Sequence, residues 1–369
     1  MIPVLQPTID DQTMQELTDQ LKSGWWGFGA KTIEFERALA DKVGAKYCIA
    51  TNSGTAALDL CLKAYNIKGG ELITTPFPFV SDAIVGEWNG MDVTFADIEE
   101  RSYCLDPKAL RVTPNTQAII GVDTHGRLCD WDKIREQANI ALEDTGIVRH
   151  TPLLIEDAAH AMWTPGAGKK ADITMWSFQA VKSLPMWDGG AITTNDEKIY
   201  QRLRTLTWLG VEKSTYERAE GKRYSWDYDI TQSKGIKAYM TDIQAVVGLG
   251  QLRRLEETNA KRRAIQSMYN EAFRDIPQIR IPEYSHTVQY YTMECEKRDE
   301  LSDYLATREI ATSVHFKPLS EMTYWKKAIK RPLPVTDKVW VKLLTLPVHN
   351  ALTFSQAEYI IRSVKEFYA

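Results

Sequence analysis

The stretch ADITMWSFQAVKSLPMWDGGAITTND, residues 171–196, carries a lysine where its surroundings have little use for one. Ile173 to Phe178 is an apolar, aromatic run with the length of a buried strand, and Ala191 to Thr194 is another. Between them, among apolar and aromatic neighbours, lies Lys182. Lysine is among the side chains least often buried. This one is therefore either a surface lysine whose stem lies along apolar neighbours, or a desolvated amine. A desolvated amine sheds its charge readily and becomes a nucleophile toward carbonyl carbon.

Working outward, the chain before this stretch alternates short apolar runs with helical patterns. Residues 10–21, 32–44 and 54–65 read as helices, the first opened by aspartate capping signals. Residues 47–52, 71–76, 92–97, 118–123 and 153–157 read as strands. Alternating β and α units predict an α/β fold with a mainly parallel sheet covered on both faces. TPGAGKKAD (164–172) imitates a phosphate-binding loop, but Trp163 stands where the first glycine belongs and Lys170 where Ser or Thr belongs. It is read as a hairpin turn. Residues 210–235 form a polar, aromatic excursion, and loops of that length are usually functional. A helix over 240–273 then bridges to a small α+β part built from 290–295, a helix at 297–308, 311–316 and a last helix from Ser355. The expected division is a large domain, 1–248, and a small C-terminal domain, 249–369.

Composition narrows the function. The 369 residues are 44% hydrophobic and 25% charged, those of a soluble globular protein. A net charge of -4 argues against nucleic acid or an anionic membrane as partner. No apolar run is long enough to span a bilayer, and the N-terminus lacks the basic and apolar regions of a secretory signal. A cytoplasmic protein is expected. Its five cysteines, Cys48, Cys61, Cys104, Cys129 and Cys295, are scattered and form no C-x-x-C, so they read as reduced core thiols. The six histidines show no metal spacing, and no metal is expected. RRLEETNAKRR (253–263) alternates charge on a helix and reads as a solvated face.

Two further motifs carry chemistry. In NSGTAALDLCL (52–62), Ser53, Gly54 and Thr55 sit where a strand turns into a helix. A helix N-terminus is an anion site, although Ser and Thr also serve there as ordinary caps. In PLLIEDAAHAM (152–162), an apolar run ends in Glu156 and Asp157. The C-terminal edge of a sheet is where ligands bind in open α/β folds. A buried Asp157 needs a partner: backbone N–H groups, an arginine, or a protonated ring nitrogen. His160 follows, as a structural group or a catalyst. A phosphate, a protonated pyridine and a carbonyl are together the functional groups of pyridoxal 5′-phosphate (PLP). An aromatic ring is expected over the pyridine, and TTPFPFVSDA (74–83) supplies Phe77 and Phe79.

The order TNSGTAAL, PFPFVSDA, IEDAAHA, SFQAVKSL, DGGAITTND, YMTDIQAVVGLGQL, LTLPVHNALT resembles the DegT/DnrJ/StrS-type nucleotide-sugar aminotransferases, from IPVLQP to the last helix. The resemblance implies a fold-type-I PLP transferase with a mainly parallel seven-stranded sheet between helices. It further implies a homodimer with the active site at the interface, PLP or its amine form PMP as cofactor, a nucleotide-linked keto sugar as substrate and an amino-acid donor, usually glutamate. Lys182 looks like the lysine that bonds to the cofactor, and Asp157 like the acid that keeps its ring nitrogen protonated. Ser177 with Ser53, Gly54 and Thr55 looks like the phosphate cup. Phe79 matches the stacking aromatic, and His160 stands beside the phenolic oxygen. Lys237 stands where many members carry an Asn that reaches the neighbouring subunit's phosphate. THGRL (124–128) departs from the commoner Tyr-Gly-Gln, so His125 and Arg127 receive no role. SGWWGFG (23–29) keeps the family's Gly-Trp but not its Thr-Thr-Gly, and His315 matches a histidine near the site's mouth. Two rival activities are a sugar dehydratase, whose relatives replace the lysine with His, and a non-catalytic PLP-binding regulator, which would carry an added DNA-binding domain.

Overall fold

The computed structural model describes residues 1–143, 151–220, 226, 228–232, 235–281, 283–326 and 331–369. Its elements are α1 (Asp11–Lys22), α2 (Ala30–Val43), β1 (Tyr47–Thr51), α3 (Gly54–Ala64), β2 (Glu71–Thr74), α4 (Ser81–Trp88), β3 (Asp92–Phe95), β4 (Thr116–Val122), α5 (Trp131–Glu143), β5 (Leu153–Asp157), β6 (Ile173–Ser177), β7 (Gly190–Thr194), α6 (Glu197–Leu206) and α7 (Thr215–Glu220). They are followed by α8 (Asp242–Phe273), β8 (Ile279–Arg280), β9 (Tyr291–Cys295), α9 (Arg298–Thr307), α10 (Pro334–Trp340), β10 (Leu343–Leu346) and α11 (Phe354–Tyr368).

The first seven strands form one sheet in the order β1-β7-β6-β5-β4-β2-β3. It is parallel from β6 to β3, while β7 runs antiparallel to both β6 and β1. Strands β2, β5 and β7 are buried along their whole length, as expected for a sheet with helices on both faces. One face packs on α3, α4 and α6 through Leu58, Leu62, Leu72 and Leu203; the other packs on α2 and α8 through Phe35, Leu39, Phe178 and Val247. Segment 164–172 is not a hairpin, because β5 and β6 pair in parallel and the chain must cross over between them. The segment's glycines still take positive φ, +96° at Gly166 and +77° at Gly168, and Gly168 N–H donates to the buried Glu156 carboxylate. Of residues 311–316, only Ser313 bridges, to Thr345. The long excursion contains α7; residues 221–225, 227 and 233–234 of it lie outside the described residues.

Capping sets the ends of the helices. Thr241 and Gln244 form a reciprocal cap at the start of α8, and Thr353 and Gln356 do so for α11. Helix α8 runs unbroken through residue 248, the expected domain limit. Its first half lies on α1 and α2, and its second half meets α11. The chain start joins the C-terminal lobe: Ala311 N–H donates to the Ile2 carbonyl, and Val348 N–H to that of Val4. The lobe's own three-stranded antiparallel sheet, β10-β9-β8, packs Met293 and Leu346 against Tyr269 and Phe273 of α8 and Ile360 of α11. All five cysteines are buried and unpaired.

Asp97, just past β3, ties that lobe to the large sheet. Its Oδ1 accepts from Thr336 N–H at 2.9 Å and from the Thr336 hydroxyl at 2.7 Å, and its Oδ2 accepts from Val335 N–H at 2.8 Å. The two N–H groups are first-turn donors of α10, which have no intrahelical acceptor. Hydrogen bonds to a charged group contribute about 1.5–3 kcal/mol each, and one removal here strands several buried donors. Asp97→Ala is expected to lower stability in urea by about 3 kcal/mol and Asp97→Asn by less. A loss below about 1 kcal/mol for the alanine variant would mean that α10 is capped without it.

Candidate active site

Lys182 lies in the loop between β6 and β7, on a cavity of about 390 Å³ at the C-terminal ends of the parallel strands. The same cavity is lined by Ser53, Gly54, Thr55, Phe79, Asp157, His160 and Ser177. Eight of the nine residues singled out from the sequence thus meet in one place. The ninth, Lys237, is exposed outside it, with its ammonium 5.6 Å from the centre of the Trp208 ring.

The turn at 53–55 is both a cap and an open helix start. Ser53 Oγ accepts from Ala56 N–H at 3.1 Å, while the N–H groups of Gly54 and Thr55 belong to the first turn and have no intrahelical acceptor. A Cβ on Gly54 would lie 2.9 Å from Ser177 Cβ, so only glycine lets the two halves of the cup touch. A Cβ on Gly190 would fall 2.6 Å from the Ser53 carbonyl and 2.7 Å from Gly54 N. Gly190 is paired at once with Thr51 of β1 and Ser177 of β6. Its missing side chain is the space into which the 53–54 turn fits. Sequence reasoning did not single it out, although the DGG pair was the available signal.

Asp157 ends β5 and is buried; its Oδ1 accepts from Ala159 N–H at 2.8 Å. The neighbouring Glu156 points to the other face, as alternation in a strand requires. It accepts there from Gly168 N–H and the Thr174 hydroxyl. Asp82, from the first turn of α4, is fully buried beside Asp157. Burial and the charge of Asp157 push Asp82 well above the usual carboxylate range, so the proton of the pair favours Asp82. Burial also raises Asp157, opposed by the Ala159 N–H, by Lys182 and by the hydrogen bond from Asp82. Asp82 was missed: an acid in a helix's first turn is an ordinary pattern, and only the fold brings it against Asp157.

Burial lowers the Lys182 amine from the usual lysine range to about 8, with Asp157 and Asp82 opposing. His160 is buried, and burial with the nearby Lys182 holds its ring neutral. Its Nδ1 accepts from the backbone N–H of His125 at 3.4 Å, and its ring stacks on Phe316 at 5.8 Å. Phe79 is 60% exposed at the cavity mouth, whereas Phe77 is wholly buried against Tyr103. Phe77 is therefore a core residue. The C-terminal lobe adds Tyr290, His315 and Phe316, with the Tyr290 and His315 rings stacked at 3.8 Å. Burial holds His315 down at about 4. Among the described residues no group of three or more His, Cys, Asp or Glu is arranged to hold a metal, and no helix is long and apolar enough to cross a membrane.

These residues fit PLP. The Gly54–Ser177 contact makes a cradle that a Cβ would fill, with free N–H groups for a phosphate. A buried carboxylate, backed by a protonated acid, suits a ring N–H, and a low-pKa amine suits an aldehyde. The fold and this cavity define the class: a fold-type-I PLP transferase. The family model of the DegT/DnrJ/EryC1/StrS aminotransferases matches residues 7–365. The spore coat polysaccharide biosynthesis protein SpsC of Bacillus subtilis is 34% identical over 99% of this chain and 96% of its own. The sugar aminotransferase CalS13 of Micromonospora echinospora superposes with a TM-score of 0.89 at 25% identity, over 99% of this chain and 100% of that one. Spr1654 of Streptococcus pneumoniae in its PMP form gives 0.90 at 28% identity, over 99% and 98%. The chain belongs to the DegT/DnrJ/EryC1/StrS aminotransferase family and is an enzyme, a PLP-dependent sugar aminotransferase.

A lysine at about 8 is largely protonated at pH 7 and largely neutral at pH 9; an unperturbed one stays protonated until above pH 10. In the cofactor-free protein, acetylation of Lys182 followed by mass spectrometry should rise with pH around a midpoint near 8. A midpoint above about 10 would remove the desolvated-amine assignment.

Proposed function

We propose that this enzyme aminates a nucleotide-linked keto sugar at C3 or C4, with L-glutamate as donor. The observation that carries the reading is the convergence of Lys182, Asp157 and the Ser53–Gly54–Thr55–Ser177 turn on one cavity. PLP, when bound, supplies an electrophilic carbon and an electron sink. Every other part belongs to the chain. The first-turn N–H groups of α3 and the hydroxyls of Ser53, Thr55 and Ser177 hold its phosphate. Asp157, still charged because Asp82 carries the shared proton, keeps the ring nitrogen protonated. Lys182 Nζ, in its uncharged form, would take the proton from the donor's Cα and deliver it to the cofactor carbon that had carried the aldehyde, on the far side of the amino nitrogen. His160 and Phe79 fix the ring, the first by hydrogen bonding and the second by covering one face.

In this reading residues 1–248 hold the cofactor and 249–369 close over it. Phe79, Trp187 and Ile230 stay exposed, 60%, 47% and 61%. A second copy of the chain covers these side chains in this reading, with the active site at the interface. Lys237 then reaches the partner's phosphate, where its charge suits the anion. The spore-coat relative's part in polysaccharide biosynthesis supports a sugar substrate feeding glycan assembly.

The test is incubation of the purified protein with 15N-glutamate and a nucleotide-linked 4-keto sugar, with 15N followed into the sugar by mass spectrometry. No incorporation from glutamate into any 3- or 4-keto nucleotide sugar tried would overturn the substrate assignment. Lys182→Ala is expected to lower turnover at least about a thousandfold with an unchanged circular dichroism spectrum; full activity in that variant would refute the lysine's role. Asp157→Asn should still take up cofactor but turn over about a hundredfold more slowly, and wild-type rates there would count against the electron-sink acid.

A further inference from the structure

The 125–127 turn, left without a role by the sequence, is bonded on one side to a cavity residue and on the other to the C-terminal lobe. His125 is fully buried and sits at φ +56°, a left-handed conformation uncommon for a residue with a side chain. Its ring is held at every polar atom. Nδ1 lies 2.8 Å from an Arg127 guanidinium nitrogen and 3.2 Å from the Thr292 hydroxyl. A guanidinium only donates, so Nδ1 bears no proton and accepts. The ring's proton is therefore on Nε2, which donates to the His315 carbonyl at 2.9 Å. The contacts fix this tautomer by themselves.

Arg127 is fixed as firmly. Its Nε donates to the Ser102 carbonyl at 2.9 Å, and NH1 to the Glu283 carbonyl at 3.2 Å. Its remaining arm is the one on His125. The buried cation cannot lose its charge, so a second charge on His125 is strongly disfavoured; burial and Arg127 both hold that ring neutral. The backbone joins the network too. The Ser285 hydroxyl donates to the His125 carbonyl, and a Cβ on Gly126, at φ +87°, would strike the Thr287 carbonyl. The His125 N–H, aimed by this arrangement, donates to His160 Nδ1. An Nδ1 that accepts leaves the His160 proton on Nε2, the ring's one remaining polar atom, and His160 lines the cavity.

We infer that Arg127 and His125 are positioning residues that hold His160 as its neutral Nε2–H tautomer and latch the His315–Phe316 segment of the C-terminal lobe onto the same cavity. Donors and acceptors run in one direction, from Arg127 through the His125 ring to the His315 carbonyl. The His125 backbone aligns His160, whose ring stacks on Phe316. A hydrogen-bond donor suits a phenolate-type oxygen on the bound ring. That last point rests on the reading of the cavity as a PLP site; the tautomer and the latch do not.

The test uses 15N-histidine-labelled protein stripped of cofactor, with the six ring systems assigned by single substitutions such as His160→Asn. His125 and His160 should both read as neutral Nε2–H tautomers from pH 6 to 8; a charged or Nδ1–H His160 at pH 7 overturns the inference. Two variants probe the pair: Arg127→Met, and the double change His125→Tyr with Arg127→Gln, which installs the commoner family triplet and guards against misfolding. In whichever variant folds, the His160 15N signals should move, cofactor Kd should rise about tenfold and kcat fall about tenfold, with donor KM changed less than about twofold. Lower thermal stability with unchanged His160 signals and unchanged cofactor Kd would mean that the pair is only structural, and the inference falls. The measurement on the cofactor-free chain is independent of which sugar or donor is turned over, so failure of the aminotransferase reading would leave it intact.

Discussion

At Gly190 three chain segments come closer than any side chain permits. Strand β7 is wedged antiparallel between β1 and β6, and its first residue is paired with Thr51 on one side and Ser177 on the other. The backbone of Ser53 and Gly54 occupies the place of a Cβ at 190. That close approach sets the start of α3, puts Ser177 against Gly54, and fixes both ends of the loop carrying Lys182. Phosphate-type donors and amine are thus located by one register. A single-residue slip of β7 would send its side chains to the opposite faces and put a Cβ into the turn.

The electrostatics of the cavity follow from burial. Four acids, Asp82, Asp123, Glu156 and Asp157, lie buried at the ends of β4 and β5 and the start of α4. They cannot all be charged, and they segregate by pair. Asp123 is pushed up by burial and by Glu156, which is anchored on Gly168 N–H and Thr174; Asp82 is pushed up beside Asp157. Burial raises Glu156 and Asp157 as well, but less than their partners, so the proton in each pair favours Asp123 and Asp82, and Asp157 is the acid that lines the cavity. Opposite it, the same desolvation lowers Lys182 to about 8, so the amine gives up its proton far more readily than an ordinary lysine. An acid that holds its charge and an amine that can shed its own are the two states that amino transfer requires.

The C-terminal lobe completes the site. It contributes Tyr290, His315 and Phe316 to the cavity, and is tied down by Asp97 on α10 and by the 125–127 turn. The ties are made by groups whose partners lie more than a hundred residues away, so no local pattern announced them. His125 and Arg127 read as an unexplained departure from a family triplet. Asp82 and Gly190 received no reading at all.

The sequence by itself made legible the alternating strands and helices of the large sheet, the family, and a set of candidate residues, Lys182, Asp157, Ser177 and the 53–55 turn, that the fold brings to one cavity. Those are local signals: apolar runs of strand length, a Ser-Gly-Thr at a helix start, an acid at a strand end, a lysine in an apolar loop. It misread 164–172 as a hairpin, because turn glycines look alike whether the next strand returns antiparallel or crosses over to a parallel one. Only the tertiary structure decided which acid is charged, which tautomer His160 holds and how the two lobes latch. These depend on desolvation and on contacts across long sequence separations, and neither is a property of any short stretch of chain.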